Sequence, residues 1–208
     1  MKIKEIRTYH VSKPLAIKLP NSCYTIETIE HILVEVDTEE YTGIGFVYSI
    51  NAAHAEAMRC MIRDYAQHLI GKESDMIRQH LQLANMINAP SGPNGLPTCA
   101  YAAIDMALWD LLAQSARLPL YKLLGAERSQ VPVYASGGWL IPEDDLVKEA
   151  LGYKQQGYTV YKMKLGCKDY REDLHRIRAV QEACGENFEI YVDINQGWSP
   201  KQDIMIAP

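Results

Sequence analysis

The sequence holds no cluster of lysine and arginine, no long apolar run, no CxxC pair and none of the glycine motifs that cradle phosphates. Each absence removes a class of function. Its 21 lysines and arginines are scattered among 26 acidic residues for a net charge of −5, so the chain lacks the basic stripe that nucleic acid or an anionic membrane would require. No apolar run approaches the roughly 18 residues that span a bilayer. The N-terminal MKIKEIRTYH alternates like a strand and has no apolar h-region of a secretion signal. The cysteines Cys23, Cys60, Cys99, Cys167 and Cys184 are odd in number, with neither CxxC spacing nor partnered histidines. That argues against a disulfide framework and a zinc cluster, and points to a reducing cytoplasm. GxGxxG, GxxxxGK[ST] and GxSxG are all missing, which leaves dinucleotide, P-loop and nucleophile-elbow readings without support. Small molecules remain as partners.

The chain does have apolar residues in quantity, 48% of its 208 positions, enough for one large or two small domains. Residues 2–50 carry three strand-like runs, IKEIRTYHV, HILVEVDT and TGIGFVYS, which predict an antiparallel meander. Between the first two lies KPLAIKLPNSCY, read as a polar, proline-broken loop long enough to fold over something. From Ala52 the period becomes helical, with Met58, Met61, Ile62, Tyr65 and Leu69 on one stripe and Gly71 as the stop. A second helix is expected from Ser74 as N-cap, with Ile77, Leu81 and Ala84 inward. The proline and glycine run NAPSGPNGLP is the strongest break, and beyond it Thr98–Ala116 reads as a long helix packed on two sides, with a short one ending LYKLLGA. From Val131 the rhythm alternates: strand VPVYAS, helix PEDDLVKEALGYKQQG, strand YTVYKMKLG, helix YREDLHRIRAVQEACG, strand FEIYVDIN. Repeating βα units require right-handed crossovers and a parallel sheet, in either a doubly wound fold or a (β/α) barrel.

Chemistry concentrates in those units. Lys162 and Lys164 have the same parity, so both leave one face of a strand near its C-terminal end, where α/β active sites sit. Two ammonium groups that close disfavour each other's charge, which predicts a lowered lysine pKa and an amine able to act as base. Asp193 ends the next strand and offers the hard oxygen ligand that Mg²⁺ prefers. Taken singly, a KxK is a solvated pair and a D-x-N an Asx-type turn; their recurrence on consecutive units favours a site. SGG at 136–138 brings backbone close to a ligand or makes a turn.

Together, AAIDMALWDLLAQSARLPLYKLLGA, the KMK of 162–164 and VDINQGW resemble the mandelate racemase and muconate lactonizing branch of the enolase superfamily. The resemblance implies an α+β capping domain over residues 1–128, a three-stranded antiparallel meander plus helices. Residues 129–208 would begin a modified (β/α) TIM-type barrel. By the same resemblance Lys164 is the base removing a proton α to a carboxylate, and Lys162 tunes it and touches the substrate carboxylate. Asp193 is the first of three Mg²⁺ ligands, and Asn195 lies near the substrate. The loop of residues 15–25 and a turn near Val47 and Tyr48 are expected to close over the site. Since three strands cannot close a barrel of eight, the resemblance further implies a truncated form, inactive alone, with the remaining ligands beyond Pro208. The implied reaction is dehydration or racemisation of a sugar acid through an enediolate, in a cytoplasmic homo-oligomer. Cycloisomerisation, dipeptide epimerisation and a catalytically inactive binding or assembly remnant stay open.

Overall fold

The computed structural model describes residues 1–92 and 94–206. The chain divides into two compact units, Met1–Leu15 with Thr28–Ser129, and Ala16–Glu27 with Gln130–Pro208.

In the first unit the meander forms as its alternation predicts. Strands β1 (Glu5–Pro20), β2 (Thr25–Asp37) and β3 (Thr42–Ile50) lie in that order, with β2 and β3 antiparallel from Ile29↔Ile50 to Asp37↔Thr42. On β2 the side chains of Ile32, Val34 and Val36 are fully buried and those between them are not, the period-two signature of a sheet with one covered face. Helices α1 (Ala55–Leu69), α2 (Ile77–Asn88), α3 (Leu96–Ala116) and α4 (Leu120–Leu123) follow. The core joins the β2 residues to Met58, Ile62 and Tyr65 of α1 and to Ile104, Leu108 and Leu111 of α3. Helix α3 lies so close to β3 that a Cβ at Gly43 or Gly45 would run into the carbonyl oxygen of Ala107 or Ala103.

Four local expectations change in this half of the chain. KPLAIKLPNSCY is not a loop: β1 continues to Pro20, so only residues 21–24 turn, and the prolines are tolerated because β1 lies at the sheet edge. Val47 and Tyr48 sit within β3, paired with Ile32 and His31, instead of in a turn. α2 starts after Met76 and not at Ser74; Leu81 is exposed while His80 is buried, its Nε2 2.7 Å from the Glu73 carbonyl oxygen. Finally, α3 is long and apolar enough to cross a bilayer by length and composition, with mean hydropathy 1.2 over an 18-residue window. The sequence reading found no such stretch; here that apolarity serves the core, since 44% of the window is buried within the protein.

The second unit carries β4 (Ala135–Ser136), α5 (Glu143–Gln155), β5 (Val160–Lys164), α6 (Tyr170–Cys184), β6 (Glu189–Asp193) and α7 (Pro200–Ile206). The strands form a parallel sheet in the order β4-β5-β6, with β5 against β6 from Val160↔Glu189 to Lys164↔Asp193. α6 is capped by Asp169, whose side chain accepts the Arg171 amide at 3.0 Å, and carries Glu172 and Asp173 in its first turn, as the helix dipole favours. Tyr161 and Met163 of β5 bury completely against Leu146 and Ala150 of α5 and Val180 of α6. The predicted six-residue strand VPVYAS shrinks to two, because pairing with β5 covers only Ala135 and Ser136, and Val131 and Val133 are left exposed. Helix α7 follows β6 after the turn at Asn195 and Gln196.

Candidate active site

The parallel register that pairs Lys164 with Asp193 sets the site. Lys162, Lys164 and Asp193 leave the strand ends on one side, and a single carboxylate oxygen receives both lysines. Asp193 Oδ2 is 2.6 Å from Lys162 Nζ and 2.7 Å from Lys164 Nζ. Lys164 is buried, and its ammonium lies 5.3 Å from the centroid of the Trp139 ring, within cation–π range.

This arrangement corrects the electrostatic expectation for Lys162. Asp193 lies between the two lysines, so they do not repel across empty space. Its hydrogen bond raises the Lys162 pKa above the ordinary value, outweighing desolvation. The same bonds, from Lys162 first and Lys164 second, hold the Asp193 carboxyl well below the usual carboxylate range. Asp193 is therefore anionic at any physiological pH.

The other oxygen does a different task. Asp193 Oδ1 accepts the Asn195 backbone N–H at 2.9 Å, the Asx-type turn that D-x-N suggests. Asn195 and Gln196 both take positive φ, 45° and 60°, an uncommon conformation for non-glycine residues that is held here beside a charged cluster. The main chain of this turn is gripped by the hairpin tip of the same unit. Asn21 Oδ1 shapes the tip by accepting the amides of Cys23 and Tyr24 at 2.8 and 2.9 Å. Ser22 Oγ then donates to the Ile194 carbonyl, and Cys23 Sγ to the Asn195 carbonyl at 2.8 Å. Gly166 and Gly197 leave room for Ser22, since a Cβ at either would strike its side chain.

The glycines of SGG serve packing. Gly138 takes φ +59°, and a Cβ there would collide with Met163 of β5. Sequence reasoning missed Trp139, Asp173 and Arg176. The last two had a signal: they share the buried stripe of α6 with Val180 and Cys184, where a charged pair is out of place.

A cation that prefers oxygen would find in Asp193 one ionised ligand. Among the described residues no group of three His, Cys, Asp or Glu comes together, so the fit to Mg²⁺ is that of a single ligand.

Residues 3–125 match the mandelate racemase / muconate lactonizing enzyme N-terminal domain, and residues 145–208 match the enolase C-terminal domain-like family. The chain belongs to the mandelate racemase/muconate lactonizing enzyme family. Its fold is that family's: a three-stranded antiparallel sheet with helices, then parallel βα units as in a TIM-type barrel. The chain is 34% identical over 200 residues to 3,6-anhydro-alpha-L-galactonate cycloisomerase of Streptomyces coelicolor, covering 95% of this chain and 55% of that protein. Among solved structures of the family, L-talarate/galactarate dehydratase from Salmonella typhimurium LT2, liganded with Mg and L-lyxarohydroxamate, superposes with TM-score 0.92 at 30% identity. It covers 99% of this chain and 55% of that one. A racemase from Streptomyces coelicolor with bound magnesium gives TM-score 0.94 at 32% identity, over 99% of this chain and 58% of that one. The chain thus spans about half the length of these relatives.

Proposed function

We propose that this chain contributes the base and one metal ligand to a Mg²⁺-dependent enzyme that removes the proton α to a carboxylate, with dehydration or racemisation of a sugar acid as the outcome. The observation that carries the reading is the meeting of Lys162 and Lys164 on Asp193 Oδ2 at adjacent strand ends, 2.6 and 2.7 Å away. Relatives with bound magnesium, one of them a sugar-acid dehydratase, support it.

Lys164 is the base. It is the more buried of the pair, and a proton taken at Nζ creates an ammonium that Asp193 Oδ2 and the Trp139 ring face already flank. Lys162, with its raised pKa, stays cationic and is placed to attract the substrate carboxylate. Asp193 would hold Mg²⁺ when the metal is bound, and the metal would supply Lewis-acid charge that makes a weakly acidic α-proton removable. Asn195 borders the substrate, with its backbone fixed by Asp193 Oδ1 and the Cys23 thiol. Cycloisomerisation is the second reading, favoured by the 34% identical relative of that activity. We assign residues 1–128 to a capping domain and 129–208 to the barrel, in a cytoplasmic homo-oligomer.

The test is proton exchange. The complete gene product, incubated with Mg²⁺ and a panel of sugar acids in heavy water, should exchange the α-proton of at least one acid, followed by loss of its NMR signal. Absence of exchange across sugar acids and dipeptides would overturn the reading.

A further inference from the structure

The β4–β5 ladder ends early, and the strand ends beyond it need another source of order. After Ser136↔Lys162 only two main-chain bonds continue the pairing, from Gly137 N to the Lys162 carbonyl at 3.0 Å and from Lys164 N to the Gly138 carbonyl at 2.8 Å. The Lys164 carbonyl is then left without a strand partner in a buried region, where an unpaired acceptor is costly, while the Trp139 carbonyl, beyond the ladder, accepts the Ile141 amide at 2.7 Å. Arg176 of α6 supplies the donor missing at Lys164 and a second donor at Trp139. Its Nη1 donates to the Lys164 carbonyl at 2.8 Å and its Nη2 to the Trp139 carbonyl at 2.7 Å, with the Gly138 carbonyl at 3.5 Å.

The geometry points to Arg176 as the positioning residue of the Lys164 base, a planar fork that fixes the distance between Lys164 and Trp139. This rests on the reading of Lys164 as base. A lysine could not do this, since a single ammonium lacks the fixed spacing of two guanidinium nitrogens. Glu149 of α5 accepts the Gly138 amide at 2.9 Å, so the Gly138–Trp139 segment is held at the Gly138 N–H by one helix and at the Trp139 carbonyl by another. Asp173 extends the clamp past β5: its Oδ2 accepts the amides of Gly166 and Cys167 at 2.9 and 3.0 Å, and its Oδ1 stands 3.6 Å from Arg176 Nη1. Arg176 acts on Lys164 through the main chain, by its bond to the Lys164 carbonyl.

The experiment compares Arg176→Lys, and separately the double variant Arg176→Met with Asp173→Asn, to wild type in the complete gene product. The double variant replaces the buried pair by groups of similar size while keeping an acceptor for the Gly166 and Cys167 amides, so it guards against a variant that does not fold. Each is measured by thermal unfolding and by kcat and KM for α-proton exchange. A positioning role predicts a folded protein whose kcat falls about 10–100-fold while KM moves less than about twofold, the signature of a misplaced base. If wild type exchanges and the folded variants keep its kcat, the inference is overturned and Arg176 is a structural ion pair. An equal loss in kcat and protein stability, recovered on cooling, overturns it as well. If wild type exchanges no acid, the base assignment falls and this inference with it.

Discussion

Asp193 divides its oxygens, one to a backbone turn and one to two lysines, and that division makes Lys164 separable from its neighbours by mutation. Lys164→Ala should lower α-proton exchange about 10²–10⁴-fold, the usual contribution of a positioned base, with unfolding temperature little changed. Exchange at the wild-type rate would assign the base elsewhere. A second residue-scale prediction concerns Cys167. Burial first, and the Asp173 hydrogen bond second, push its thiol up to about 11. Below that pH it stays protonated and poorly nucleophilic, so its reactivity rises only as pH climbs toward 11. Maleimide labelling at pH 8, mapped by mass spectrometry, should therefore modify the exposed Cys23, Cys60 and Cys99 before Cys167. Asp173→Asn should accelerate Cys167 labelling; an unchanged rate would show that the carboxylate does not control this thiol.

At the scale of elements, the closest approach in the first unit is α3 against β3. Gly45→Ala should destabilise that unit by about 2–4 kcal/mol, because the methyl meets a backbone carbonyl that cannot rotate away. Chemical denaturation of the variant measures it, and a loss below 0.5 kcal/mol, about the scale of a neutral surface change, would mean that α3 shifts freely. These elements were legible where one rule governed. Period-two alternation on β2 and the stripe of Met58, Ile62, Tyr65 and Leu69 on α1 announced both type and inward face. Reading failed where tertiary partners decide. Proline punctuation suggested a loop at residues 13–24, yet an edge strand has no need of those N–H groups. VPVYAS has strand chemistry throughout but finds a partner for two residues. In the candidate site the lysine pair and Asp193 could be placed from parity and repeat. The direction of the Lys162 shift could not, since it depends on which oxygen lies between the two amines.

At the scale of the whole molecule, no group of three His, Cys, Asp or Glu comes together among the described residues, and the Asp193 carboxylate is already engaged by two cations. Titrating Mg²⁺ into the 208-residue chain should give binding on the order of millimolar or weaker, seen by calorimetry. Stoichiometric micromolar binding would show that Asp193 has further oxygen partners.

The hairpin tip carries one more consequence, for the order in which the chain comes together. Ser22 and Cys23 bond to the carbonyls of Ile194 and Asn195, 172 positions away, while every residue of the first unit from Thr28 to Ser129 lies between them in sequence. Closing a loop of that length costs about 4–5 kcal/mol of chain entropy, against a handful of bonds at the tip. During synthesis the meander and its helices have their partners long before β6 leaves the ribosome. The tip waits, and its docking is the late, high-contact-order step of folding.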